Sequence, residues 1–433
     1  MESLEGYGLS TRGAGNVAAI WPRIVNAVKE REKQYTAGSS IDMSTSENWL
    51  LRDELMQRYK KAIQEDLHLS YPDGLNGDSG LLNALVRFFN SYFDPFIPVE
   101  KEHVSIAPGA AFALDALLYN ICEPGDGLLV PTPCWNGFDW LLNVRSGVKP
   151  VFVPLENLDD VFSSPKATKA LEETISNASI PIKGLLLTHP QNPLGQCYPD
   201  EVITDMVKFC DERKIHFISD EIYAMSTFPN PDIPNPVPLV SILHRDIRGM
   251  GCDLSRVHTI WSISKDLGSS GLRVGCCVTQ ANKPLATGIA LAANTQTSSL
   301  AAIAAANLLR SPDLPQLFEL NAQRLSEAYL RLTAVLKKHG VRYVPANQSP
   351  FLFARLVPHA QTWEEEAAFV QRCKDAGLAI SAGKNYHMPE CDKGWARLNF
   401  ALEPTSLAEG LKLLDTILTD EGVKRTGNGV KDV

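Results

Sequence analysis

The chain has 433 residues, 44% of them hydrophobic and 21% charged. That is a globular composition, long enough for two structural domains. A formal net charge of -9 gives an acidic surface and excludes nucleic acid and anionic membrane as main partners, because both would repel it.

In chain order, Met1–Ser10 carries two glutamates and no apolar run. It does not read as a signal peptide, so a cytoplasmic location is expected. Short β-rich runs follow at Val104–Ile106, Gly127–Val130, Pro150–Val153, Gly184–Leu187, His216–Ser219, Val257–Trp261 and Gly275–Thr279. Helical patterns such as Phe112–Ile121 and Asp200–Lys214 separate them. This alternation predicts an α/β, doubly wound, mostly parallel sheet. Gly288–Leu309 is the least polar long stretch, but Asn294, Thr295 and Gln296 interrupt it. A packed helix rather than a membrane span is expected there.

From Ser311 the texture changes. Leu314–Gly340 reads as a long amphipathic helix, Phe351–Leu356 and Ala396–Ala401 as strands, and Trp363–Ala376 and Ser406–Leu418 as helices. The expected division is a large domain over 61–300 and a smaller α+β domain over 301–420. The N-terminal arm, 1–60, joins the smaller domain, and the Gly- and Lys-rich 421–433 is expected as a disordered tail. The nine cysteines are odd in number, irregularly spaced and never paired as CxxC. They predict reduced, mostly buried thiols, with no metal site.

Several clusters carry chemistry. In Trp261-Ser-Ile-Ser-Lys-Asp-Leu-Gly-Ser-Ser-Gly-Leu-Arg-Val-Gly275 a lysine follows an apolar strand. Desolvation there strips the proton from an ammonium and leaves an amine able to attack an aldehyde. Ser262, Ser264 and Arg273 offer hydroxyls and a planar fork of N–H donors, the chemistry of a phosphate site. Pro108-Gly-Ala-Ala-Phe-Ala-Leu-Asp115 opens a helix with small residues; its free N–H groups suit an anion, or it is a plain strand–helix turn. Ile218-Ser-Asp-Glu-Ile-Tyr223 ends an apolar strand with a carboxylate that also reads as a helix cap. His189-Pro-Gln-Asn-Pro-Leu-Gly195 is turn chemistry.

In their order along the chain, these clusters resemble the fold-type I pyridoxal 5'-phosphate (PLP) enzymes of the class I/II aminotransferase family. The lysine box matches S-x-S-K-x-x-x-x-x-G-x-R-x-G, and the likeness covers about Leu9 to Leu418. It implies the type I PLP-dependent transferase fold, with PLP as cofactor and Lys265 as the Schiff-base residue. It further implies Asp220 at the ring nitrogen and Asn192 and Tyr223 at the phenolate oxygen. The phosphate would meet Gly109, Ala110 and Ala111, Ser262 and Ser264, and Arg273. Family members often carry Ser or Thr at Ala111, so one side-chain donor is missing. Trp135 stands where an aromatic stacks on the ring, or is a core tryptophan. Arg397 matches the arginine that grips the substrate carboxylate.

Within the family, Leu9-Ser-Thr-Arg-Gly13, Ser46-Glu-Asn-Trp-Leu50, Pro131-Thr-Pro133, Gly137-Phe-Asp139 and Gly394-Trp395 resemble 1-aminocyclopropane-1-carboxylate (ACC) synthases and the aminotransferases grouped with them. Glu47 then sits at a substrate-recognising position, or is a helix-start carboxylate. Plant-type ACC synthases place a tyrosine in the loop that here reads Ser70-Tyr-Pro-Asp-Gly-Leu-Asn-Gly-Asp-Ser-Gly80. Tyr71 falls early, and Gly or Leu stands at the aligned place. Glycine-rich versions resemble the fungal ACC-synthase-like enzymes, several of which serve secondary-metabolite pathways as aminotransferases or carbon–sulfur lyases. An aminotransferase on an amino-acid-like small molecule is the leading expectation and a lyase the second. A non-catalytic relative is a remote third. A homodimer with shared active sites is implied by the resemblance.

Overall fold

The computed structural model describes residues 11, 14–19, 22, 40–61 and 70–427, with backbone alone over 421–427. The segment Leu9–Gly13 lies outside the described residues apart from Thr11. The chain is followed from β1 (Ile41–Asp42). The central sheet comprises β2 (Val104–Ala107), β3 (Gly127–Pro131), β4 (Lys149–Val153), β5 (Ile182–Thr188), β6 (His216–Asp220), β7 (Val257–Ser262) and β8 (Gly275–Val278). Each strand expected between residues 104 and 279 is present, with ends shifted by a residue or two. The order across the sheet is β2-β8-β7-β6-β5-β3-β4. β8 pairs antiparallel with β2 and β7, and the remaining pairs are parallel.

The pattern follows from the residues. β2, β3 and β7 are buried throughout, as strands covered on both faces must be. Leu128 and Val130 pack with helix Ala110–Ile121 on one face, and Leu129, Leu185 and Leu187 with helix Asp200–Glu212 on the other. The stretch Gly288–Leu309 is not one helix. It is split between Lys283–Ala293 and Ser299–Leu309, with Thr295 at φ 58 between them. A β-branched residue in the left-handed region cannot continue a right-handed helix.

The C-terminal part adds β9 (Tyr343–Val344), β10 (Phe351–Arg355), β11 (Leu378–Ala379), β12 (Ser381–Ala382) and β13 (Trp395–Asn399). Four of these form an antiparallel sheet in the order β12-β13-β10-β9. Helices Leu314–Lys338 and Trp363–Asp375 pack on it around Leu352, Phe369 and Leu398. The second helix is started by a capping box between Thr362 and Glu365. β1 pairs parallel with β11, Ile41 opposite Leu378, so the N-terminal arm is stitched to this part. The last helix is Pro404–Gly427. Its backbone extends into the stretch expected as a disordered tail, while Leu407, Leu411, Leu414 and Leu418 bury one face of its earlier turns; residues 428–433 lie outside the described residues.

Among the described residues no helix is long and apolar enough to cross a membrane. The cysteines are free thiols, buried except for Cys391.

Candidate active site

The carboxyl ends of parallel strands are where a doubly wound sheet opens a crevice, and the chemistry gathers there. Asp220 ends β6, Ser262 ends β7, and Lys265 lies on the single helical turn Ile263–Asp266 that follows. Two anchors hold that turn. Trp261 is fully buried against Phe88 and Phe89 at ring distances of 4.5 and 5.9 Å. Burying an indole of ~200 Å² contributes about 5 kcal/mol. Asp266 accepts hydrogen bonds from Trp261 Nε1 at 3.0 Å and Ser226 Oγ at 2.7 Å, each worth only about 1–3 kcal/mol. Packing therefore fixes the strand, and the carboxylate aims the turn.

A cavity of about 570 Å³ opens in front of Lys265. Asp220, Asn192, Tyr223 and Trp135 line it, as do Ala110, Ala111, Ser262, Ser264, Arg273 and Arg397. Lys265 Nζ donates to the Ser46 carbonyl. Burial, with Arg397 nearby, lowers its pKa to about 8, so a usable fraction of free amine exists near neutrality. Burial likewise raises the Asp220 carboxyl to about 7, and its Oδ1 has no hydrogen-bond partner. A buried carboxylate oxygen without a donor is costly. Tyr223 is fully buried, its hydroxyl 3.1 Å from Ser46 Oγ.

Arg397 reaches the cavity from β13. Its guanidinium donates to Asn192 Oδ1 at 2.9 Å and to the Ser44 carbonyl at 2.8 Å, and lies 5.1 Å from the centre of the Tyr386 ring. Its Nε is unpartnered. Ala110 and Ala111 enter the lining from the turn at Gly109, the N-cap of helix Ala110–Ile121 at φ 91. A Cβ on Gly109 would stand 2.3 Å from Arg273 Nη2. Glycine thus lets the guanidinium lie against the helix start, pooling a cation with free N–H groups.

Gly109 itself is behind the lining, and so is Glu47. Glu47 accepts from Ser270 Oγ at 2.6 Å and from Trp49 Nε1 at 3.1 Å, with Arg52 at 3.6 Å. Ser270 is its hydrogen-bonded link to the lining, and its negative charge also acts on Lys265, favouring the ammonium. Glu47 is not a helix-start carboxylate, since helix Arg52–Lys60 carries Asp53 and Glu54 in its first turn. Trp135 is half-buried, edge-on to Phe138 at 5.3 Å. Ser46, Ser44, Gly275 and Tyr386 were not singled out by role from the sequence. A Cβ on Gly275 would stand 2.7 Å from Ala110 N, so the last glycine of the lysine box lets β8 press against the anion turn. In the loop Ser70–Gly80, Asp73 accepts from Ser79, Asp78 caps helix Ser79–Tyr92, and Tyr71 is 85% exposed.

Residues 40–414 match the family model described as aminotransferase class I and II. The chain belongs to that family. It is a PLP-dependent enzyme of the aminotransferase kind. The probable aminotransferase aclI of Aspergillus oryzae is 54% identical over 95% of this chain and 98% of its own. The probable aminotransferase gliI of Aspergillus fumigatus is 35% identical over 89% and 91%. The solved structure of a Thermus thermophilus aspartate aminotransferase tetra mutant complexed with tryptophan shares the fold. Its TM-score is 0.76 at 20% identity, over 95% of this chain and 99% of that one.

The residues present fit PLP. The unpartnered Oδ1 of Asp220 awaits a donor such as a ring N–H. The Gly109 turn with Arg273 suits a phosphate dianion, and Lys265 offers an amine to an aldehyde.

Proposed function

We propose that this enzyme moves the amino group of an amino acid or amino-acid-like substrate, in a specialised biosynthetic pathway, with Lys265 as the residue that bonds the cofactor. When bound, PLP supplies an electron sink for charge developing at the substrate α-carbon. The protein's own contributions are these. Arg397 grips the substrate carboxylate with its remaining N–H groups, its guanidinium held in place by Asn192 and Ser44. Lys265, once the substrate amine has displaced it, takes the α-proton and returns it. Asp220 holds a proton at the ring nitrogen. Asn192 and Tyr223 bond the phenolate oxygen, and Ala110 and Ala111, shaped by the Gly109 turn behind them, hold the phosphate with Ser262, Ser264 and Arg273. Trp135 covers the ring face, while Glu47 acts at one remove through Ser270.

The observation that carries this reading is the convergence of Lys265, Asp220 and Arg397 on one cavity, with the lysine pKa brought to about 8. The same residues would serve a carbon–sulfur lyase or an ACC synthase, so the outcome is read from products. The protein is incubated with an amino-acid panel and cysteine conjugates. One equivalent of keto acid per site without an acceptor, and continuous turnover with one, is expected. Continuous release of sulfide or ammonia without an acceptor would overturn the reading in favour of a lyase. Lys265→Ala should abolish borohydride-fixed cofactor.

A further inference from the structure

The ionisable side chains among the described lining residues are Asp220, Tyr223, Lys265, Arg273, Tyr386 and Arg397. Five have cofactor or carboxylate roles above, and Tyr386 backs Arg397. The lining elsewhere includes apolar groups. Trp140 and Leu141 come from helix Phe138–Val144, and Val370 and Ile380 from the C-terminal part. Trp140 is 40% exposed, so its own chain leaves an indole wet where the cavity meets solvent.

These two walls are tied to each other. His387 Nε2 lies 2.7 Å from Asp139 Oδ1, next to Trp140, and its ring stacks on Phe152 at 3.8 Å. Beside it, Cys134 N–H donates to the Tyr386 carbonyl at 3.0 Å. His387 adopts φ 59, a left-handed conformation that histidine enters more readily than most side chains.

We propose that Trp140 and Leu141 on one wall and Val370 and Ile380 on the other form the subsite for the substrate side chain. It takes a bulky uncharged group, and the Asp139–His387 tie sets its width. This rests on the amino-acid chemistry proposed above. An acidic or basic side chain packed on Trp140, Leu141, Val370 and Ile380 would give up part of its hydration to apolar groups that return no charge, whereas an aromatic one would cover Trp140.

The test uses PLP-loaded enzyme titrated with amino acids while the cofactor absorbance reports binding, so affinity is read whether or not transfer follows. Phenylalanine and S-benzylcysteine should bind at least about tenfold tighter than aspartate, glutamate or lysine. Trp140→Ala should cut the preference for phenylalanine over alanine about tenfold. Val370→Lys should tighten aspartate binding about tenfold or more by supplying the missing charge. His387→Ala should erode the phenylalanine preference, and His387→Gln, which keeps a donor toward Asp139, should restore part of it. Equal wild-type affinity for aspartate and phenylalanine, or an unchanged preference in Trp140→Ala, overturns the proposal. A preference that stands while no donor transfers its amino group would overturn the proposed reaction alone.

Discussion

Arg397 and Asn192 are joined by a 2.9 Å hydrogen bond across 205 positions of sequence. The arginine on the small antiparallel sheet is thereby set by a turn that follows the central one. The two side chains should act as a unit rather than as independent contacts. Arg397→Ala is expected to lower kcat/KM by about a hundredfold or more, and Asn192→Ala by less. The double variant should be less impaired than the two effects added, with a coupling of about 0.5–3 kcal/mol. Additive losses in a steady-state double-mutant cycle would contradict this.

Lys265 offers a pH signature. With its pKa near 8, the free amine grows tenfold per pH step below 8 and levels off above it. Cofactor capture by cofactor-free protein, followed by visible absorbance, should rise from pH 6 to 8 and then flatten. A rise that continues through pH 10 would show an ordinary, solvated lysine.

Asp266 is buried, held by Ser226 and Trp261, and burial raises its carboxyl to about 7. The unfolded chain releases that proton near 3.8. Between those values the folded state holds the extra proton, so its stabilising contribution is full below about pH 4 and is lost as pH rises through 7. Relative to Asp266→Asn, the wild-type protein should lose up to about 4 kcal/mol of stability over that window and nothing further above it. Urea unfolding of cofactor-free protein at several pH values measures the difference.

Gly275→Ala should weaken cofactor retention more than it weakens the fold. Its Cβ would stand 2.7 Å from Ala110 N and from the Gly109 carbonyl carbon, and backbone so placed yields only by shifting the anion turn. A tenfold or greater rise in the PLP dissociation constant is expected, with far-ultraviolet circular dichroism unchanged. Unaltered PLP affinity would show that the turn tolerates the shift.

Much of this architecture is legible in the residues. The strands at Gly127, Gly184, His216 and Val257 announce themselves as short apolar runs between helical periods, because a strand covered on both faces must be apolar along its length. Motif order likewise puts Lys265 and Asp220 at strand ends. The Gly288–Leu309 stretch shows the limit of such reading: its composition promised a helix, but the backbone reversal at Thr295 belongs to the fit between two packed helices.

By itself the sequence determined the layered α/β fold, the family and the set of polar residues available for chemistry. Those follow from local periodicity and from fixed spacings along one chain. Only the tertiary structure decided which of them meet. It brought Arg397 onto Asn192 and Ser44, left Glu47 outside the lining behind Ser270, and tied His387 to Asp139. Such contacts join elements far apart in the chain, and their distances are set by how whole sheets and helices pack. No repeat or spacing in the sequence records that packing.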